Sequence, residues 1–353
     1  MTAAVVICVA ALAACTTGHR PPTDAPASQQ PTPPDGMPGH YVVVDRLEAV
    51  VRASGDGHVT GSVAIPVPAG TPRTFVGAEA FGDAGGRHFV IVVSRGGDLP
   101  GVADVILFRL AVSPDGRPGR LVRLDVGSSG VPVTGAALSP DGKMLALSLT
   151  HEFPPGEPVY GSLEVVRLTT GATRAWTGRG APGYWPGVPS WTGDGTVVVP
   201  WWHSASQATT PAEMTGVRDL DPAAPGTSLL EARLVSFPAP VRGLESAMIA
   251  SGGAALVAAS CRAGPRGDTA TARVLELSAA DGRLLRVLRT QTAGFRNAAD
   301  AGDAILSACR VLSVAGDGDH VLVQAFAFGR IDNGAFASLP GASPGVLPVS
   351  AAW

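Results

Sequence analysis

Between Val131 and Gly178 the chain spells out one structural unit, and most of the remaining sequence is a variation on it. A run of small residues ends in Ser139-Pro140-Asp141-Gly142, and a second run, Met144–Leu149, leads into a connection. A third, Leu163–Leu168, turns at Thr169-Thr170-Gly171 into a fourth. Each apolar run is short and stops at a turn signal, which is the pattern of strands rather than helices. The turn has a mechanism: Pro presets φ, Asp caps its own backbone, and Gly accepts positive φ. Four antiparallel strands in about 45 residues is the length of one propeller blade.

The same order of elements recurs from Tyr41 onward. Tyr41–Asp45, Leu47–Ala53 and Val59–Pro66 supply three strands of a first unit that lacks its innermost one. Complete units then begin near Phe75, Val131, Val188, Leu244 and Ala308. Their first turns fall at Asp83, Asp141, Asp194, Gly252 and Asp317, in steps of 58, 53, 58 and 65 residues. Such variation is normal where insertions lie on one face. The final run, Leu347–Trp353, echoes Val131–Ala137 but has no unit of its own to follow. Its place is therefore inside the first unit, closing the ring and leaving no open inner edge. The expected fold is all-β: a six-bladed propeller of four-stranded antiparallel blades, with seven blades as the alternative. Composition agrees, since 45 Gly and 31 Pro interrupt short Val/Leu/Ala runs. A net charge of −3 without a dense Lys/Arg patch gives nucleic-acid binding no electrostatic support.

The N-terminus reads differently. Ala3–Ala14 is apolar but too short to span a bilayer, and it ends Leu12-Ala13-Ala14-Cys15. That ending resembles the lipobox of bacterial lipoproteins, which implies a signal peptide over residues 1–14 and a lipid on Cys15. Residues 15–40, rich in Pro, Thr, Ser and Gln, cannot bury enough surface to order themselves and read as a tether. The propeller is then 41–353. Its Ser113–Gly116 and Ser139–Gly142 turns resemble bacterial propellers of the Ser-Pro-Asp-Gly type, including the Tol-system periplasmic propeller, and more distantly WD-type repeats. With the lipobox, the whole resembles an actinobacterial propeller lipoprotein, which implies an extracytoplasmic protein anchored to the cell membrane.

Apart from Cys8 and Cys15, the chain holds Cys261 and Cys309. Outside the cytoplasm two remaining thiols are expected to pair. The repeat puts them on the same face of neighbouring blades, five and six. Two free buried thiols or a metal site are the alternatives.

No nucleophile elbow, His-Glu-x-x-His or phosphate-cradling loop occurs, and no metal site or cofactor is expected. Long connections, by contrast, gather on one face of the ring: Arg95–Ala103, Thr150–Ser162, Thr177–Val188, His203–Thr215, Arg262–Thr271 and Thr290–Ala304. They carry His151, Phe153, Tyr160, Tyr184, Trp185, Trp201, Trp202, His203, Phe295 and Arg296. Aromatics collected on a loop face are the material of binding surfaces. The expectation is a monomeric, non-catalytic recognition platform for an envelope protein, peptide or glycan. The alternative is a propeller lyase or hydrolase that uses His151, His203, Arg262 or Arg296 at the tunnel mouth.

Overall fold

The computed structural model describes residues 36–45, 47–66, 76–83, 85–96, 103–126, 131–151, 160–204, 213–238, 241, 243–295, 309–315, 318–340 and 350–353. The signal segment, Cys15, most of the tether, Phe153 and Arg296 lie outside them.

Among the described residues the strands form six antiparallel sheets. Blade 1 holds β1 (His40–Asp45), β2 (Glu48–Ala53) and β3 (Val59–Ala64). Blade 2 holds β4 (Val76–Gly82), β5 (His88–Gly96), β6 (Ala103–Ala111) and β7 (Val122–Leu124). Blade 3 is β8 (Val133–Leu138), β9 (Met144–His151), β10 (Tyr160–Arg167) and β11 (Thr173–Thr177). In blade 4 the inner strand is split into β12 (Tyr184–Pro186) and β13 (Ser190–Trp191), followed by β14 (Val197–His203), β15 (Glu213–Leu220) and β16 (Arg233–Ser236). Blade 5 is β17 (Leu244–Ile249), β18 (Ala255–Ala263), β19 (Thr269–Ser278) and β20 (Leu284–Gly294). Blade 6 is β21 (Cys309–Val314), β22 (His320–Ala325), β23 (Phe328–Asp332) and β24 (Ala335–Ser338). The last strand, β25 (Ser350–Ala352), returns to blade 1 and pairs Val42 with Ala352, Val43 with Ala351 and Val44 with Ser350. The protein is a six-bladed propeller closed by its own C-terminus.

The buried side chains explain why the middle strands read as continuous apolar runs. One hydrophobic cluster fills each interface between neighbouring blades. Along β5, Phe89, Ile91 and Val93 face blade 1, while Val90 and Val92 face blade 3. Alternation is present, but both faces are buried. Serine hydroxyls near the axis add clips from blade to blade. Ser190 Oγ accepts from Ile249 N at 3.0 Å, Ser246 Oγ from Val311 N at 2.7 Å, and Ser350 Oγ from Ala80 N at 2.7 Å.

The turn chemistry is as the sequence implies. Ser139 Oγ donates to Asp141 Oδ1 at 2.6 Å and accepts from Met144 N at 2.9 Å, while Gly142 takes φ +66°. The hydroxyl of Ser139 and the Lys143 amide hold the Asp141 carboxyl down at about 2. This carboxylate is a turn residue.

Three boundaries differ from the sequence reading. Met37 is already buried between blades 6 and 1, so the folded part starts before Tyr41. The connection expected over Arg262–Thr271 is a tight hairpin, because β18 and β19 stay paired out to Ala263 and Ala270. Strand β20 likewise runs through Thr290 to Gly294. In both places threonines and small residues keep the extended backbone where the reading looked for apolar runs.

Candidate functional site

Five of the six inner strands contribute to one axial cavity of about 490 Å³. The opposite ends of the same strands, Phe81–Asp83, Ala136–Leu138, Ser190–Trp191 and Leu312–Val314, leave only about 50 Å³. The axis is thus a funnel. Its wide end lies where the inner strands of blades 4, 5 and 6 begin, the face to which the sequence reading assigned the long connections.

Blade 4 gives the funnel its aromatic wall. Trp185 on β12 and Trp202 on β14 are cross-strand partners and both line the cavity. Gly187 makes room for one of them: a Cβ there would stand 2.7 Å from Trp202 Nε1. Tyr184 and His203, the next cross-strand pair, face the other way and stack on each other at 4.1 Å. Trp201 is interior, 2% exposed, with Tyr184 stacked 5.8 Å from one side and the Arg218 guanidinium 4.8 Å from its ring.

The other expected residues are placed apart from this wall. His151 and Tyr160 stack at 4.6 Å on blade 3, where His151 Nε2 lies 2.7 Å from Ser162 Oγ. Burial, reinforced by Arg179, pushes the His151 pKa below its ordinary value. Phe295 meets Phe326 of blade 6 edge-on at 5.7 Å. Of the described members of the expected face, then, only Trp185 and Trp202 line the cavity. Most of its members sit in strands, not in connections.

The charged groups of the funnel come from inner strands and were not among the expected residues. Glu79 on β4, Glu245 on β17 and Arg310 on β21 all line the cavity. Glu245 owes its position to a β-bulge: Leu244 pairs with Ser260 and Ser246 with Ala259, which leaves Glu245 between them unpaired. Bulges re-aim side chains in this way beside functional sites. Burial raises the Glu245 pKa, and the positive charge of Arg310 only partly offsets it. A sequence signal existed. VGAEAFG, LESAMI and CRVLSV each hold a single charge in an otherwise small or apolar inner strand.

Cys309 also lines the cavity, and it is joined to Cys261 by a disulfide that ties β18 of blade 5 to β21 of blade 6. Among the described residues no three His, Cys, Asp or Glu side chains are grouped to hold a metal ion.

No family model matches the chain, and neither does any curated protein. Several solved structures are similar to it. The Pseudomonas aeruginosa periplasmic gluconolactonase aligns at 13% identity and TM-score 0.41, over 88% of this chain and 99% of that one. Prolyl oligopeptidase B from Galerina marginata aligns at 13% identity and TM-score 0.42, over 86% of this chain and 49% of that one. For the Pyrococcus horikoshii acylaminoacyl peptidase the values are 11% and 0.41, over 75% of this chain and 39% of that one. The chain spans half or less of the length of these peptidases. At such identities and TM-scores the likenesses carry no argument about activity.

The raised pKa of Glu245 has a sign that can be measured. A carboxyl held above its unfolded-state value favours the folded protein when protonated, and that contribution is lost as pH rises through the folded pKa. Glu245→Gln is therefore expected to unfold at a higher urea concentration than the parent at neutral pH. The difference should vanish in acid, below the unfolded-state pKa. Equal midpoints at both pH values would show that the carboxylate is not under strain.

Proposed function

We propose that the protein is a lipid-anchored extracytoplasmic recognition module, held to the membrane through Cys15 and binding its ligand non-catalytically at the funnel mouth. The partner is an envelope protein, peptide or glycan. One observation carries this reading: two indoles and three charged side chains from four blades line one axial cavity. Ser94 and Ser246 are among the lining residues, but among the described residues there no histidine or lysine stands ready to activate them. A concave, mostly apolar site with a few convergent polar groups is the usual form of a binding pocket.

Cross-linking on intact cells followed by capture of the full chain tests this. A partner captured by the parent should be lost from Trp202→Ala and from Arg310→Gln, and kept by Arg117→Ala, which alters an exposed turn remote from the funnel. Retention of the partner by both funnel variants would reject the site. Cys15→Ser should move the protein from the membrane fraction to the soluble one, and unchanged fractionation would reject the anchor.

A second reading, a propeller lyase or hydrolase, draws on one observation. Burial raises the pKa of the Glu245 carboxyl, and that is the direction in which a general acid is tuned. It predicts turnover that Glu245→Gln abolishes while ligand capture survives.

A further inference from the structure

We propose that the funnel mouth takes a free α-amino acid with a cationic side chain. The assignment rests on reading the funnel as the binding site and names a small ligand that enters it.

The argument begins with arginine. Among the described residues, the other partly or fully buried arginines spend their guanidinium groups on the protein itself. Arg52 donates to Gly57 O, Arg174 to Pro222 O and Gly226 O, and Arg218 to Leu230 O and Ala232 O. Arg330 bonds Asp332 and the Ser54 carbonyl, and Arg289 bonds Gln291. Arg310 alone makes no hydrogen bond to a described residue, although it projects into a cavity between blades. Glu79 and Glu245 also make none. Half-buried charges without hydrogen-bond partners, as Glu245 and Arg310 are, are costly, and in a cavity the missing partners are those a ligand brings.

The placement of the charges then specifies the ligand. Arg310 on blade 6 is close enough to Glu245 on neighbouring blade 5 to act on its ionisation. An ammonium and a carboxylate on one carbon would serve this pair, the ammonium at Glu245 and the carboxylate forked onto Arg310. Glu79 belongs to blade 2, across the ring from blade 5, and it asks for a second cation at a distance. Two carboxylates and one guanidinium are the charge complement of two ammonium groups and one carboxylate. Blade 4, on the arc of the ring from blade 2 to blade 5, adds the indoles of Trp185 and Trp202 to the same cavity, and these suit an alkyl chain ending in a cation.

Four small probes separate these contacts: L-lysine, Nα-acetyl-L-lysine, Nε-acetyl-L-lysine and L-lysinamide. They would be titrated into the full chain by calorimetry and by tryptophan fluorescence. Lysine is expected to bind saturably, and each blocked form about tenfold or more weakly, the size of one lost charge-assisted hydrogen bond. Glu245→Gln should then bind lysine no better than its Nα-acetyl form, Glu79→Gln no better than the Nε-acetyl form, and Arg310→Gln no better than lysinamide. These losses of discrimination, one per charge, are what an unspecific structural effect cannot imitate. Unfolding midpoints show that each variant is folded. Failure of lysine to bind, or equal binding of all four probes, overturns the proposal. If maltose binds instead and Trp202→Ala abolishes it, the ligand class falls while the funnel reading stands. If the cross-linked partner is also indifferent to Trp202→Ala, both fall.

Discussion

Removing Ser350–Trp353 is expected to leave the protein unable to hold its ring, with the chain recovered as aggregate rather than as a loosened monomer. The segment is four residues long, yet it closes the molecule at three places. It completes blade 1 through three backbone pairs with β1. Ser350 Oγ accepts from Ala80 N of blade 2 at 2.7 Å, and Trp353 N donates to Ser313 Oγ of blade 6 at 3.3 Å. The Trp353 side chain is fully buried with Tyr41, Leu322 and Phe328 between blades 6 and 1. Tyr41, whose hydroxyl donates to Pro340 O at 3.0 Å, is so enclosed that its pKa is pushed up to about 12. The neighbouring sequence is fitted to the same contact: a Cβ on Gly82 would fall on the Trp353 carbonyl.

The milder variant gives the magnitude. Trp353→Ala alone should cost about 3–5 kcal/mol, against a total stability on the order of 5–15 kcal/mol for a native protein. Urea unfolding followed by circular dichroism measures this directly. An unchanged midpoint would mean that the C-terminus is an ornament to blade 1. Deletion removes more, because it also opens the edge of β1, and an unpaired apolar edge recruits other chains.

That closure was legible in the sequence because it depends on local rules. Ser-Pro-Asp-Gly turns, run lengths and the orphaned Leu347–Trp353 segment together require an incomplete first unit and a spare strand. Turn residues act through their own backbone, so they survive without knowledge of neighbours. The funnel was less legible, and for the opposite reason. Tyr184 and Trp185 were read as part of a connection because Gly187 and Pro189 break the inner strand of blade 4 into two short pieces. Trp201 and Trp202 are adjacent in sequence, but alternation sends one into the interface with blade 3 and the other to the funnel. A bulge between them, opposite Thr215, adds a local twist that no periodicity announces. The charges are hard to read from sequence because binding residues concentrate in loops, and these lie in strands. A single Glu or Arg in a buried inner strand has only the axis to point into, and that inference needs the ring first.

The disulfide joins the stability of this ring to the state of its funnel. Cys261 and Cys309 have Cα atoms 5.8 Å apart, a separation that a disulfide spans without backbone movement. Both side chains are buried in the cluster between blades 5 and 6, and Cys309 directly precedes Arg310. The closed segment has a sequence separation of 48 residues. Its chain-entropy contribution is on the order of 4 kcal/mol. The double variant Cys261→Ala/Cys309→Ala is expected to lose about that much in urea, since the alanines also leave a small gap among Val257, Val274 and Val323. Lysine affinity should fall with it even below the unfolding transition, because β21 then carries Arg310 without its covalent brace to blade 5. The single variant Trp353→Ala separates the two effects. It costs comparable stability at the blade 6–1 interface while leaving the brace beside Arg310 intact. If both variants weakened lysine binding equally, general loosening of the ring would explain the loss. If only the cysteine variant does so, the disulfide sets the position of the guanidinium.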